Sequence, residues 1–536
     1  MSKVTMDSLF SSRIPINGIF GETKFSAIFY SFVIALPVLL VYIWNTITEG
    51  TAGSNAISYL INLYLCWRYP IKSTDGKTPL PTASYKFPNG QGNVAKFLQG
   101  DSESRKWQLE LGSIYRIWNG FDAEVALTRP AQVQTVFKDS HLHVKGESMD
   151  SGWLCGEVLG HCLGLLNQAD WDTVRAPFVN TFHRSQSSSY LPLIQRRVEK
   201  HFNSLEETRG QSDKLLLITP SKHLKLLPLW ILCDILYGDL TTAMELQFEE
   251  IIPLREALWC QVMSGGISRY SPSRFLPIST NKRLRMFKEE WARFNDQAYN
   301  RAKQLYPNHP IVSLYDAVEQ GVMSKTQLLH TLDEALFANL DVTIGNFSWI
   351  PLFLAAHQDV QDDLRLEIRA ARKEDAGDSW TQYIAGSSTL LMACVLESAR
   401  LKPMAPFSIP QAAPTDRVVD NFVIPAGTNF IVDTYALNVL DPYWGKDNTQ
   451  YRPRRFLETK SAGEMRYSFW RYGFGPRQCL GKNVADVVLK ALLTHMVENY
   501  HLRLPAGDST NMGDWERVAG AWISSSNSTI ICERLN

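Results

Sequence analysis

Cys479 sits in the run Tyr472-Gly-Phe-Gly-Pro-Arg-Gln-Cys-Leu-Gly481, and a long amphipathic helix pattern follows at once. The spacing predicts a glycine-rich turn that delivers the sulfur to a helix N-terminus. Backbone N–H groups and the helix dipole there favour a thiolate over a thiol. A thiolate held in this way can ligate iron. The glycines let the backbone pass close to a flat ligand. A cysteine taken alone is most often a buried, inert thiol. The surrounding pattern, and other signals upstream, reverse that expectation.

Glu397-Ser-Ala-Arg400 lies on a helix pattern, Ser388 to Leu401, that Pro403 ends. Glu and Arg at i, i+3 share one helix face. Exposed, such a pair means little. Its flanks Val395, Leu396 and Leu401 are apolar, which suggests burial, and a buried pair needs further partners. Arg455, in Tyr451-Arg-Pro-Arg-Arg-Phe456, is the natural third member. Trp171 and Arg175 stand at i, i+4 and project to one side of a helix. A third run, Leu336-Phe-Ala-Asn-Leu-Asp-Val-Thr-Ile-Gly345, carries an acid with a threonine two residues on. Thr343 lies about 100° around the helix from Val342.

Together these runs resemble the cytochrome P-450 family of heme-thiolate monooxygenases, from about residue 70 onward. The resemblance implies heme b (iron protoporphyrin IX), with Cys479 as the metal ligand on a loop that includes Gly475 and Tyr472. The family usually has Phe where this chain has Tyr472. Arg477, Trp171 and Arg175 are implied to hold heme propionates, with Lys145 or His143 as a further contact. Glu397, Arg400 and Arg455 match the family's structural network beneath the heme; Arg454 stands where Glu is common. The Leu336–Gly345 run resembles the distal, oxygen-side helix. Ala338 and Asp341 match, but Val342 occupies the position where Thr is usual. Asp341, Thr343 or the substrate must then organise the water that relays protons. The implied substrate pocket includes Phe337, Ala338, Val342, Phe407 and Trp522.

No flavin or nicotinamide domain is visible, so the resemblance implies electrons from NADPH through NADPH-cytochrome P-450 reductase. Those of Arg454, Arg455, Arg466, Arg471 and Lys482 that are exposed would dock an acidic partner. The run around Cys479 looks like fungal members of specialised-metabolite pathways. That implies a small, apolar or aromatic substrate, peptide- or alkaloid-derived, such as a diketopiperazine, oxidised by hydroxylation or by ring closure or coupling. Two other readings stay open: a reductase-independent heme-thiolate isomerase or dehydratase, and a membrane heme-binding protein without turnover.

The elements that must position these residues read as mainly α, in an α+β arrangement. Ile114–Trp118 and Glu124–Leu127 predict short strands, and Pro130–Asp139 a short helix with proline in its first turn. Ala169 to about Leu340 is mostly helical in pattern, and β-character returns at Phe422–Gly427. The 536 residues are 45% hydrophobic and 11% aromatic with zero formal charge, enough for a large core and no reason to expect nucleic acid. None of the eight cysteines forms a CxxC pair, which fits a reducing compartment.

Phe25–Trp44 has no charged residue and is long enough to cross a bilayer. A cleaved signal peptide is the alternative reading. The division is therefore an N-terminal segment (1–24), a transmembrane anchor (25–44), a membrane-proximal segment with a proline-rich hinge (45–95) and a heme-thiolate domain (96–536). Flanking charges do not set orientation. The resemblance implies single-pass anchoring in the endoplasmic reticulum membrane with the catalytic domain in the cytosol.

Overall fold

The computed structural model describes residues 52–207, 215–373, 378–458 and 462–535. The proposed anchor, Phe25–Trp44, lies outside the described residues. The helices that matter for the site are, in chain order, α1 (Ala52–Arg68), α2 (Pro130–Phe137), α3 (Trp153–Leu159), α4 (Gln168–Phe182), α5 (Leu227–Tyr237), α6 (Thr242–Ser264), α7 (Ser279–Leu305), α8 (Lys325–Ala356), α9 (Leu390–Leu401) and α10 (Lys482–Asn499). Small sheets stand beside this helical body, as the sequence predicts.

The largest sheet has strand order β2-β3-β9-β6-β4, from β2 (Ile114–Asn119), β3 (Asp122–Leu127), β4 (Val144–Lys145), β6 (Gln411–Ala412) and β9 (Asn429–Val432). β2 and β3 pair antiparallel, with Ile114 opposite Leu127. β3 and β9 pair parallel, with Val125 opposite Phe430. Every residue of β2 is buried. A second sheet joins β1 (Lys72–Ser73), β8 (Phe422–Ile424) and β7 (Arg417–Val419). The proline-rich stretch is thereby held against the body, and the Ala83 N–H also donates to Arg116 O at 2.9 Å.

Several strands are absent from the sequence reading, β1, β4, β10 (Tyr500–Arg503) and β11 (Ile530–Arg534) among them, and one falls inside a stretch read as helix. β5 (Leu215–Ile218) interrupts the stretch predicted as helical. It pairs with β11, more than 300 residues away, which also pairs with β10. Its alternating exposure shows a half-buried strand, but a run of Leu and Ile has no period-2 signal to reveal it.

α8 organises the core. Ser324 caps it: its hydroxyl accepts the Gln327 N–H at 3.1 Å and the Gln327 side chain accepts the Ser324 N–H at 2.8 Å, a reciprocal box that satisfies end donors. The helix runs 32 residues, and Thr343 through Ala355 are buried without a break. Ala338, Asn339, Asp341 and Val342 are only half-buried. That half-open stretch in an enclosed helix marks the wall of an internal cleft.

Among the described residues, one segment, Ser379–Leu401, has the length and apolarity of a membrane span. It is largely buried and belongs to the core. α1 behaves differently. Leu65 packs inward with Tyr85 and Trp118, while Tyr59, Leu60, Leu63, Tyr64 and Trp67 are exposed, Trp67 by 75%.

Candidate active site

Cys479 follows a single helical turn (Gly475–Arg477) and precedes α10. Its N–H donates to Tyr472 O at 3.0 Å, closing the loop. Gly475 has φ +66°, and a Cβ there would lie 2.8 Å from Ser140 Oγ; both facts require glycine. The Cys479 side chain is exposed by surface area, yet protein atoms surround it densely. The two observations agree if the thiol opens onto an internal cleft rather than bulk water.

The sequence predicts a favoured thiolate here. Instead burial pushes the thiol up, with Glu334 and Asp486 adding to the effect, against the Gly481 N–H and Lys145. Desolvation outweighs the helix terminus. A bound cation reverses this, because metal coordination deprotonates a thiol.

Tyr472 uses the hydroxyl that phenylalanine would lack. It donates to Asp486 Oδ1 at 2.9 Å, and Arg471 donates to the same oxygen at 2.7 Å. The Arg471 guanidinium lies 4.4 Å from the Tyr472 ring centre. The loop is thus tied to α10 from two adjacent residues. Arg471 and Arg455, both in the proposed docking cluster, are committed to internal partners; Arg454 and Arg466 are exposed.

Arg477 donates to Leu166 O at 2.6 Å and lies 4.8 Å from the Trp171 ring centre. Arg175 covers the same ring at 5.2 Å. Arg477 therefore meets the Trp171–Arg175 pair, which lies about 300 residues away in sequence. Arg477 Nε is buried without a hydrogen-bond partner. Burial lowers the guanidinium to about 10, partly opposed by Asp172 and Glu334. Lys145 is lowered by burial and by Arg477. Its backbone exchanges hydrogen bonds with the Asn167 carboxamide at 2.9 and 3.1 Å. Both ring nitrogens of His143 are buried without hydrogen-bond partners. Among the described residues, neither Arg477 nor Lys145 has a carboxylate within ion-pair distance. Desolvated cations without anions, beside one thiol on a cleft, fit an iron-binding group that carries its own carboxylates.

Glu397, Arg400 and Arg455 come together as the sequence predicts. Glu397 accepts from Arg400 Nε at 2.8 Å and Nη2 at 2.9 Å, from Arg455 Nε at 2.9 Å and from the Arg452 N–H at 3.0 Å. Arg400 also donates to the carbonyls of Asn438 and Asn448, at 3.1 and 2.7 Å. Every partner that a buried ion cluster needs is present.

On α8, Ala338, Asp341 and Val342 face the half-open side. Glu334, one turn before Ala338, is close enough to Cys479 to disfavour its thiolate, so this side of α8 borders the same cleft. Trp522 Nε1 donates to Asp341 Oδ2 at 2.8 Å. Three sequence expectations need correction. Thr343 is buried to 5% exposure and its hydroxyl donates to Asn339, a turn back on the same helix; the 100° step that separates it from Val342 carries it away from the cleft. Phe337 is likewise 5% exposed and packs among Phe248, Phe287 and Trp291, in the core between α6, α7 and α8. Phe407, 1% exposed, packs against Trp107 with 5.8 Å between ring centres; it is core, not pocket wall. Trp522, by contrast, is half-buried and stands edge-on to Trp259 with 5.3 Å between ring centres. Asn438, Asp486 and Asn167 escaped the sequence reading, because a lone polar residue in an apolar context carries no spacing signal.

Residues 92–525 match the family model described as Cytochrome P450. The chain belongs to the cytochrome P450 family. Relatives agree along nearly its whole length. Cytochrome P450 monooxygenase aclC of Aspergillus oryzae is 46% identical over 461 residues, covering 86% of this chain and 93% of that protein. Cytochrome P450 monooxygenase asaD of Aspergillus flavus is 42% identical over 485 residues, covering 90% and 92%. A zebra fish cytochrome P450 structure with progesterone superposes with a TM-score of 0.64 at 18% identity, covering 80% of this chain and 98% of that one; it shows the shared fold. This cytochrome P450 is therefore a heme oxidoreductase of the monooxygenase type, similar to fungal enzymes, and acts on a small molecule.

Proposed function

We propose that this cytochrome P450 oxidises an apolar or aromatic specialised metabolite, peptide- or alkaloid-derived and of the diketopiperazine kind. It would use O2 and electrons from NADPH, delivered by NADPH-cytochrome P450 reductase. The observation that carries the reading is the group Cys479, Arg477 and Lys145: one thiol on a cleft, flanked by desolvated cations that lack anions. Cys479 would hold the iron through its sulfur. Arg477, Lys145, Trp171 and Arg175 hold the propionate edge. Gly475 and Tyr472 shape the loop, and the Glu397–Arg400–Arg455 cluster fixes it. The bound heme supplies oxygen activation, which thiolate ligation assists.

On the other side of the cleft, Ala338, Val342 and Trp522 give the substrate an apolar surface. Val342 offers no hydroxyl, so Asp341 and the substrate's own polar groups must handle protons. That arrangement suits hydroxylation, ring closure or coupling of a substrate with polar amides. The exposed apolar face of α1 supports a bilayer next to the domain. With Phe25–Trp44 as the span, we place the enzyme in the endoplasmic reticulum membrane, single-pass, with the domain after residue 95 in the cytosol.

Co-expression with a reductase and feeding of candidate metabolites, read by mass spectrometry, tests the reading. A gain of one oxygen marks hydroxylation, and a loss of two hydrogens marks ring closure or coupling. Turnover independent of both NADPH and reductase would overturn it in favour of an isomerase or dehydratase.

A further inference from the structure

Asp341 is the one ionisable residue on α8 between Ala335 and Gly345. Trp522, which bonds it at 2.8 Å, comes from a turn near the C-terminus. The backbone of that turn is pinned on one side: Trp349 Nε1 donates to Ser524 O at 3.2 Å, and the Ser526 N–H donates to Ser348 Oγ at 2.8 Å. Ile523 lies against Gly345. Among the described residues, the indole N–H bonds Asp341 and the ring meets Trp259 edge-on, at the margin of the hydrophobic core. Trp259 in turn lies under Arg255, 4.8 Å from the ring centre, and Arg255 is fixed by hydrogen bonds of 2.8 and 2.9 Å to Asp333. A rigid frame therefore holds a half-buried indole against Asp341.

We propose, resting on the monooxygenase reading, that Trp522 is a substrate-operated latch on Asp341. A substrate that seats against Ala338 and Val342 displaces the indole, and Asp341 loses its hydrogen-bond donor. The carboxyl then takes one proton from solvent water and passes one to water beside Val342. No electrons move, and the carboxyl returns to its starting form. The physics behind the latch is simple. Burial raises Asp341, and the Trp522 hydrogen bond is the strongest influence opposing it. Lys225 and Arg255 also favour the carboxylate, while Glu256 disfavours it. Removing the indole leaves burial in place, so the carboxyl takes up and holds a proton more readily. The hydroxyl that could share this role is missing at Val342 and turned away at Thr343.

The test uses the full-length ferric holoenzyme without substrate. Infrared difference spectra against Asp341→Asn isolate the carboxylic-acid carbonyl band of Asp341 across pH. Trp522→Phe should move its titration up by about one to two pH units, the size of a lost hydrogen bond to a charged acceptor. Trp522→His, which keeps an N–H donor, should restore the parent titration. With reductase and NADPH but no substrate, Trp522→Phe should release peroxide severalfold faster, and Asp341→Asn in that background should return the rate to the parent's. An unmoved titration, or a leak that survives Asp341→Asn, overturns the latch. If Trp522→Phe fails to bind heme, Trp522→Met replaces it with the same expectations. A parent protein that consumes no NADPH with reductase sinks the monooxygenase reading alone, since the infrared titration still reports on the latch.

Discussion

Asn438 and Trp470 clasp each other: the Asn438 carboxamide donates to Trp470 O at 2.8 Å and accepts the Trp470 N–H at 2.8 Å. The Asn438 carbonyl also accepts from Arg400. The buried cluster on α9 is thereby connected through Asn438 to the residue two before Tyr472, whose carbonyl holds the Cys479 N–H. A buried ion cluster is weak evidence for stability. Its connectivity gives it a different purpose, which is to fix where the cysteine loop lies.

Asn438→Ala should cost about 1–3 kcal/mol, because two partly buried backbone groups of Trp470 lose their partner. Glu397→Gln should cost more, about 3–5 kcal/mol, by leaving the buried Arg400 without its carboxylate and Arg455 with Asp447 in place of two acids. Denaturant midpoints of the heme-loaded proteins measure both. Heme release should accelerate in each; an Asn438→Ala protein of parental stability and heme retention would mean that the clasp does not position the loop.

Arg477→Met should release heme roughly ten- to a hundredfold faster, from the loss of a charge-assisted contact to a propionate. The apoprotein should be no less stable than the parent, since a desolvated guanidinium without a carboxylate is removed. Stopped-flow transfer of heme to an acceptor protein and apoprotein unfolding read the two quantities. Unchanged heme release would place the propionate elsewhere.

Val342→Thr adds a hydroxyl on the cleft side of α8 while changing volume little. Peroxide released per NADPH should fall, and the product distribution should shift as proton delivery becomes less dependent on the substrate. Identical leakage and products in the two proteins would show that position 342 has no part in the relay.

His330 predicts an acid limb of stability. Its Nδ1 accepts the His161 N–H at 3.1 Å, and burial, then His161 and Lys288, lower it to about 4 from an ordinary 6.5. The folded protein keeps it neutral while the unfolded chain takes up a proton. Its contribution is therefore complete above pH 6.5 and is lost as pH falls toward 4, by about 3 kcal/mol in all. His330→Asn, which keeps an acceptor, should lose correspondingly less over that window. Parallel stability curves for the two proteins would contradict this assignment.

Much of this was legible in sequence where spacing alone brings groups together. Glu397 and Arg400 share a helix face, and Trp171 and Arg175 lie a turn apart, so local geometry settles their neighbourhood. Arg455 and Arg477 required the resemblance to join them to partners far along the chain. Facing was harder. The sequence correctly separated Thr343 from Val342 around α8 but could not say that Asn339 would take its hydroxyl. The resemblance implied Phe337 and Phe407 as pocket residues, but an aromatic ring suits a core as well, and the packing of Phe248, Trp291 and Trp107 decides. The strand Leu215–Ile218 and the Trp522–Asp341 bond depend on contacts between distant segments, for which a single sequence carries no local signal. The thiol's upward shift was missed because burial is a property of the assembled fold.

The most direct measurement is the absorption spectrum of the reduced, carbon-monoxide-treated full-length protein, alongside Cys479→His. The account predicts a long-wavelength Soret band in the parent, as thiolate-ligated heme gives, and a short-wavelength band in the variant. A folded parent that binds heme yet lacks the long-wavelength band, or a Cys479→His protein that retains it, would contradict axial ligation by Cys479.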